Sequence, residues 1–85
     1  MGHAVKINKS ARKEIDGLEK QEKDRVLDAI EALSDHPRPK DCKKLKGSDL
    51  YRIRVGDYRI VYEIHDNALI ILVVKIGHRR EVYRG

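Results

Sequence analysis

The residues of this 85-residue chain best placed to do chemistry are arginines held at alternating positions. They fall in Leu50-Tyr51-Arg52-Ile53-Arg54-Val55-Gly56-Asp57-Tyr58-Arg59-Ile60-Val61-Tyr62. Apolar and charged residues alternate on both sides of Gly56-Asp57, which predicts two strands joined by a two-residue hairpin loop. That loop sets Arg54 opposite Arg59, Arg52 opposite Val61, Ile53 opposite Ile60 and Tyr51 opposite Tyr62. Opposite residues share a face and successive residues switch face. One face then carries Tyr51, Ile53, Val55, Tyr58, Ile60 and Tyr62, and the other carries Arg52, Arg54 and Arg59 around Val61. Like charges directly opposite each other cost about 0.2–1 kcal/mol. A bound anion relieves that repulsion, and the guanidinium fork suits the oxygens of a phosphate. The competing reading is a solvated sheet face on which arginine stems lie over apolar neighbours.

Several elements must position these arginines. Ala4 to Ile7 reads as a short strand, and Asn8 or Ser10 can cap the helix that follows. Ala11, Ile15 and Leu18 mark the apolar side of that first helix, with Gly17 near its end. A second helix is expected from Lys20 to Ser34, with Val26, Ile30 and Leu33 as its apolar stripe. His36-Pro37-Arg38-Pro39 stops it. Lys40 to Asp49 reads as a basic loop. Strands follow over Leu50–Val55, Tyr58–His65 and Leu69–Gly77, with a turn around Asp66-Asn67. The predicted fold is α+β: an N-terminal strand, a two-helix hairpin and a three-stranded antiparallel meander, forming one sheet with the helices on one face. For the last strand two registers compete. A three-residue loop, Asp66-Asn67-Ala68, sets Lys75 opposite Arg59 and sends Arg79 to the same side, whereas a two-residue loop reverses this. The apolar run Leu69 to Val74 reads as a strand buried on both faces.

Composition narrows the function classes. The length allows a single domain over residues 1–85 with an aliphatic core, since Trp and Phe are absent and tyrosines number four. The single cysteine, Cys42, forms no internal disulfide, in keeping with a reducing compartment. The longest apolar run, Ala68 to Val74, is too short to cross a bilayer. Neither a signal peptide nor a myristoylation motif opens the chain, so a cytoplasmic location is expected, with no membrane partner. Residues 1–42 carry nine Lys/Arg and nine Asp/Glu, and residues 43–85 carry ten and five. The entire excess positive charge therefore lies in the second half, where a polyanion would meet it. No His/Cys/Asp/Glu set has metal-ligand spacing, and no cofactor is expected.

Lys44-Leu45-Lys46-Gly47, Leu50 to Val55, Asp57-Tyr58-Arg59-Ile60-Val61-Tyr62, Val74-Lys75-Ile76-Gly77-His78-Arg79 and Glu81-Val82-Tyr83 together resemble the RelE toxins of the RelE/ParE superfamily. The resemblance spans essentially the whole chain. It implies the toxin of a type II toxin–antitoxin system: a ribosome-dependent endoribonuclease that cuts mRNA in the A site without metal. In that reaction the 2′-hydroxyl attacks the adjacent phosphate. A RelB-like antitoxin is the implied partner, and operator DNA is bound only together with it. The resemblance places the catalytic positions at Arg52, Arg54, Arg59, Arg79 and Tyr83. Lys43, Lys44, Lys46 and His78 are expected to contact RNA, the lysines on the ribosome, and their competing reading is an ordinary solvated loop. His36 and His65 read as structural. One departure matters: the best-studied relatives carry lysine where this chain has Arg52 and Arg54, and a guanidinium does not serve as a general base. His78 and Tyr83 are then the remaining candidates for proton transfer. Two alternatives share the fold: a ParE-like inhibitor of DNA gyrase, and a catalytically degenerate module that binds only antitoxin or RNA.

Overall fold

The alternation in residues 50–65 produces the central hairpin, and the rest of the sheet is built outward from it. The structure is a computed structural model and describes residues 2–78. In chain order the elements are β1 (Ala4–Ile7), α1 (Lys9–Asp16), α2 (Lys20–Ala32), β2 (Lys43–Lys44), β3 (Leu50–Val55), β4 (Tyr58–His65) and β5 (Ile70–His78). They form a five-stranded sheet in the order β1-β5-β4-β3-β2. Strand β1 runs parallel to β5 and the other neighbours are antiparallel.

Both helices lie on one side of this sheet. Ala11 and Ile15 of α1, Val26 and Ile30 of α2, and Leu33 pack with Ile53, Ile60, Tyr62, Ile71, Val73 and Ile76. Each large aliphatic side chain buried here contributes about 1.5–3 kcal/mol. The β3–β4 hairpin has the expected register, with Ile53 opposite Ile60 and Arg54 opposite Arg59. Its loop is Gly56-Asp57, and Gly56 has φ 59°, the left-handed conformation that a two-residue hairpin turn reserves for glycine.

The structure departs from the sequence reading at several points. The segment expected to be a loop contains β2, which pairs Lys43 with Arg52 and Lys44 with Tyr51. A two-residue strand is too short to display alternation, and lysine is a usual occupant of a sheet edge. Helix α2 ends at Ala32, short of Ser34, whose hydroxyl donates to the His3 carbonyl at 2.6 Å. Strand β5 starts one residue late because Leu69 turns the corner with φ 53°. The run before Val74 is not covered on both sides: Ile71 and Val73 are buried, while Ile70, Leu72 and Val74 are half-buried.

Polar contacts fasten the connections. The Tyr62 hydroxyl donates to the Pro37 carbonyl at 2.7 Å, holding the proline-rich segment against the sheet. Burial pushes the Tyr62 phenol well above its usual range, so it remains a neutral donor. Arg38 bonds Asp66 at 3.0 Å and lies 5.4 Å from the centre of the Tyr51 ring. Asn8 is the most heavily used junction. Its Oδ1 accepts from the Ala11 amide at 2.9 Å and caps α1. Its Nδ2 donates to the Val74 carbonyl at 2.9 Å, and its backbone amide donates to the Val73 carbonyl at 2.9 Å. Replacing Asn8 with Ala removes the cap and two further hydrogen bonds, one to the Val74 carbonyl and one from the Ser10 hydroxyl. A loss of about 1–2 kcal/mol is expected, read as a lower urea midpoint with an unchanged m value.

Candidate nucleic-acid interface

The sheet face turned away from the helices gathers the cations. Two rows cross the strands. In one, Arg54 of β3 stands opposite Arg59 of β4, which stands opposite Gly77 of β5. In the next, Lys43, Arg52, Val61 and Lys75 follow one another across β2, β3, β4 and β5. Neighbouring strands are about 4.7–4.9 Å apart, so these side chains can converge above the sheet. The three arginines predicted to share a face do share it.

Their exposure is graded. Arg54 is exposed and Arg52 half-buried, but Arg59 is only 1% exposed and Val61 5%. Arg59 therefore forms the floor of this face and Arg54 its surface. Farther along the same face Glu63 bonds His65 at 2.8 Å, a pairing that occupies the histidine, which the sequence reading took as structural.

The β5 side differs from both registers considered from sequence. The β4–β5 turn places His65 opposite Ile70, and a β-bulge then intervenes. Tyr62 pairs with Val73 but Val61 pairs with Lys75, leaving Val74 as the extra residue. Lys75 thus faces Val61 and not Arg59, and Gly77 takes the place opposite Arg59. A bulge is not written in apolar periodicity, and every residue from Leu69 to Val74 is apolar or small, so the sequence carries no parity signal there.

The other predicted residues separate. Lys43 joins the arginine face, whereas Lys44 stands opposite Tyr51 on the helix-side face and Lys46 sits in the turn after β2. His78 stands opposite Tyr58, and the two rings meet edge to face at 5.6 Å. The Tyr58 hydroxyl in turn contacts Glu22 of α2 at 3.5 Å. The structure therefore directs His78 toward the helix side, away from the arginines, because it shares the parity of the core residues Ile60 and Tyr62. Arg79 and Tyr83 lie outside the described residues. A groove of about 740 Å³ opens around the edge of β3, lined by Ala29, Leu33, Pro37, Ile53 and Arg54 among others. Most of those named are apolar, and the groove shares only Arg54 with the cation rows.

A helical hairpin on one side of a mixed sheet, with guanidinium and ammonium groups on the other, defines a small α+β domain whose cationic face is chemically suited to phosphate oxygens. Residues 5–83 match the family model of the ParE toxin of type II toxin–antitoxin systems. A toxin candidate of Methanocaldococcus jannaschii, RelE1, is 36% identical over 85 residues, covering 95% of this chain and 94% of that one. Among solved structures, the archaeal RelE–RelB complex of Pyrococcus horikoshii superposes with a TM-score of 0.84 at 35% identity, covering 93% and 97% of the two chains. A mutant of the Escherichia coli toxin RelE in the free state gives 0.81 at 26% identity, covering 99% and 93%. The chain belongs to the RelE/ParE toxin superfamily and is a RelE-like toxin of the type II toxin–antitoxin kind.

Opposed arginines and an anion ligand are thermodynamically linked. Phosphate or pyrophosphate that binds the folded state alone stabilises it, by about 2.7 kcal/mol at a hundredfold excess over Kd. The unfolding temperature should therefore rise more in phosphate than in chloride of equal ionic strength. Arg54→Ala should shrink that difference, as differential scanning fluorimetry would show.

Proposed function

We propose that this toxin is a metal-independent endoribonuclease that cuts mRNA in the ribosomal A site. The observation that carries the reading is the direct opposition of Arg54 and Arg59 on the helix-free face, next to Arg52 and Lys43. A single domain spanning residues 1–85 contains the whole site. The reaction it suits is attack of an RNA 2′-hydroxyl on the adjacent phosphate, leaving a 2′,3′-cyclic phosphate and a 5′-hydroxyl. Negative charge accumulates on the non-bridging oxygens of the pentacoordinate phosphorus. Arg54 and Arg52 donate to those oxygens, and Arg59 below them supplies a fixed positive charge that need not reorganise during the reaction. By resemblance, Arg79 adds a further guanidinium and Tyr83 stacks on or orients the substrate nucleotide.

Lys43 extends the positive surface along the RNA backbone, while Lys44, Lys46 and His78 contact RNA outside the reacting centre. Attraction of this kind releases counterions and weakens steeply with salt. A RelB-like antitoxin is the proposed silencing partner, supported by the RelE–RelB complexes among the similar structures. Operator DNA is bound only by the toxin–antitoxin pair. No helix among the described residues is long and apolar enough to cross a membrane, and the cytoplasm is the proposed site of action.

The family model is named for ParE, which keeps a second reading in view: inhibition of DNA gyrase. One comparison separates the two. Purified protein added to a bacterial translation extract should cut message at the A-site codon and leave gyrase supercoiling intact. Arg54→Ala should slow cleavage about 10²–10³-fold, the usual effect of removing one donor to a developing oxyanion. Intact message together with blocked supercoiling would select the gyrase reading. Intact message with unaffected gyrase would leave a module that only binds.

A further inference from the structure

The arginine face poses a chemical problem that the arginines do not solve. When the P–O5′ bond breaks, the departing 5′-oxygen needs a proton, and a guanidinium keeps its own. The structure sends His78 toward the helices. What it places beside the arginines instead is an amine.

Lys75 reaches that face because of the β-bulge. Had the Tyr62–Val73 pairing continued without an extra residue, Val61 would face Val74 and Ile60 would face Lys75. The amine would then lie beside Ile53 and Ile60 under the helices, and Ile76 would face Arg59 on the other side. The extra residue restores the parity, putting Ile76 in the core and Lys75 opposite Val61. Bulges commonly re-aim a side chain in this way. Asn8 pins this one from the neighbouring strand end: its amide and side chain hold the carbonyls of Val73 and Val74, each at 2.9 Å. The bulge is thus anchored by the same residue that caps α1.

Lys75 is exposed, and among the described residues it has no ion-pair partner. It is the diagonal cross-strand neighbour of Arg59, a relation that separates the backbones by about 7–8 Å and lies within reach of long side chains. Arg52 flanks Val61 from the opposite strand. A phosphate held above Arg54 and Arg59 therefore has the Lys75 ammonium to one side. Lysine differs from arginine in that its proton can be transferred, which is why it recurs in acid–base chemistry.

We propose that Lys75 is the proton donor to the leaving 5′-oxygen, carried onto the arginine face by the β-bulge at Val74. The inference rests on the nuclease reading given above. As the 2′-oxygen forms its bond to phosphorus, the 2′-hydroxyl proton passes to solvent. The P–O5′ bond breaks with its electron pair moving to O5′. The ammonium proton joins that oxygen, and the neutral amine regains a proton from water.

The test uses ribosomes programmed with a short mRNA carrying one scissile linkage. That linkage is either ordinary or has sulfur in place of the bridging 5′-oxygen, since a thiolate departs without needing a proton. On the ordinary linkage, Lys75→Ala and Lys75→Gln should slow single-turnover cleavage about 10²-fold or more, and Lys75→Arg should not restore it. On the sulfur linkage, the same variants should match the wild type. Lys75 is exposed, so circular dichroism should show all three folded. The proposal is overturned if Lys75→Ala cuts the ordinary linkage at the wild-type rate, as expected of a lysine that merely solvates the edge of β5. It is also overturned if both linkages slow equally, or if arginine restores activity, because charge alone would then suffice. A wild-type protein that cuts neither linkage would instead remove the nuclease reading, and this inference with it.

Discussion

The register of the β3–β4 hairpin is the constraint on which the rest depends. Ile53 and Ile60 face each other in the core, and each contributes a burial energy several times larger than the repulsion between one pair of opposed arginines. The core therefore decides the register. Because side chains alternate with a period of two, burying Ile53 and Ile60 leaves Arg54 and Arg59 no choice but to oppose each other on the far face. A slip of one residue would reverse every position, burying guanidinium groups and exposing isoleucines. The cation cluster is thus an enforced consequence of packing, stabilised from the opposite, helix-covered side.

A second constraint acts on the neighbouring strand. Strand β5 must satisfy β1, which pairs with it in parallel, and β4, which pairs with it antiparallel. The bulge at Val74 sits where β1 ends and the chain turns into α1, and Asn8 joins all three events. Loss of that junction would loosen the helix start and the strand parity together, so stability and site geometry share one residue. The graded exposure from Arg54 down to Arg59 has a related consequence. A buried guanidinium has little freedom to lose when a ligand arrives, whereas an exposed one can adjust to it.

Much of this was legible in the sequence because its signal is local. Gly56-Asp57 between two alternating runs specified the hairpin, its loop and its pairing partners residue by residue. Asn8 was one of two candidate caps for α1, and the Ile15, Val26, Ile30 and Leu33 stripes marked the helix side. What escaped was set by tertiary context. The two-residue strand β2 has no periodicity to read. The pairing of Lys75 with Val61 was not legible because the bulge lies inside an apolar run that carries no parity. The burial of Arg59 could not be read from a residue type that is usually exposed. The family resemblance supplied roles for Arg79 and Tyr83 that no local pattern in the chain expresses.

The proposed nuclease function requires RNA to meet this protein on the helix-free sheet face. Amide chemical-shift mapping during titration with a 2′-O-methyl oligoribonucleotide, which cannot be cleaved, measures this directly. The perturbed amides should concentrate at Lys43, Arg52, Arg54, Arg59, Val61 and Lys75 and leave α1 and α2 unmoved. Perturbations confined to the helices or to the groove beside Leu33 and Pro37, with the arginine strands silent, would contradict the account.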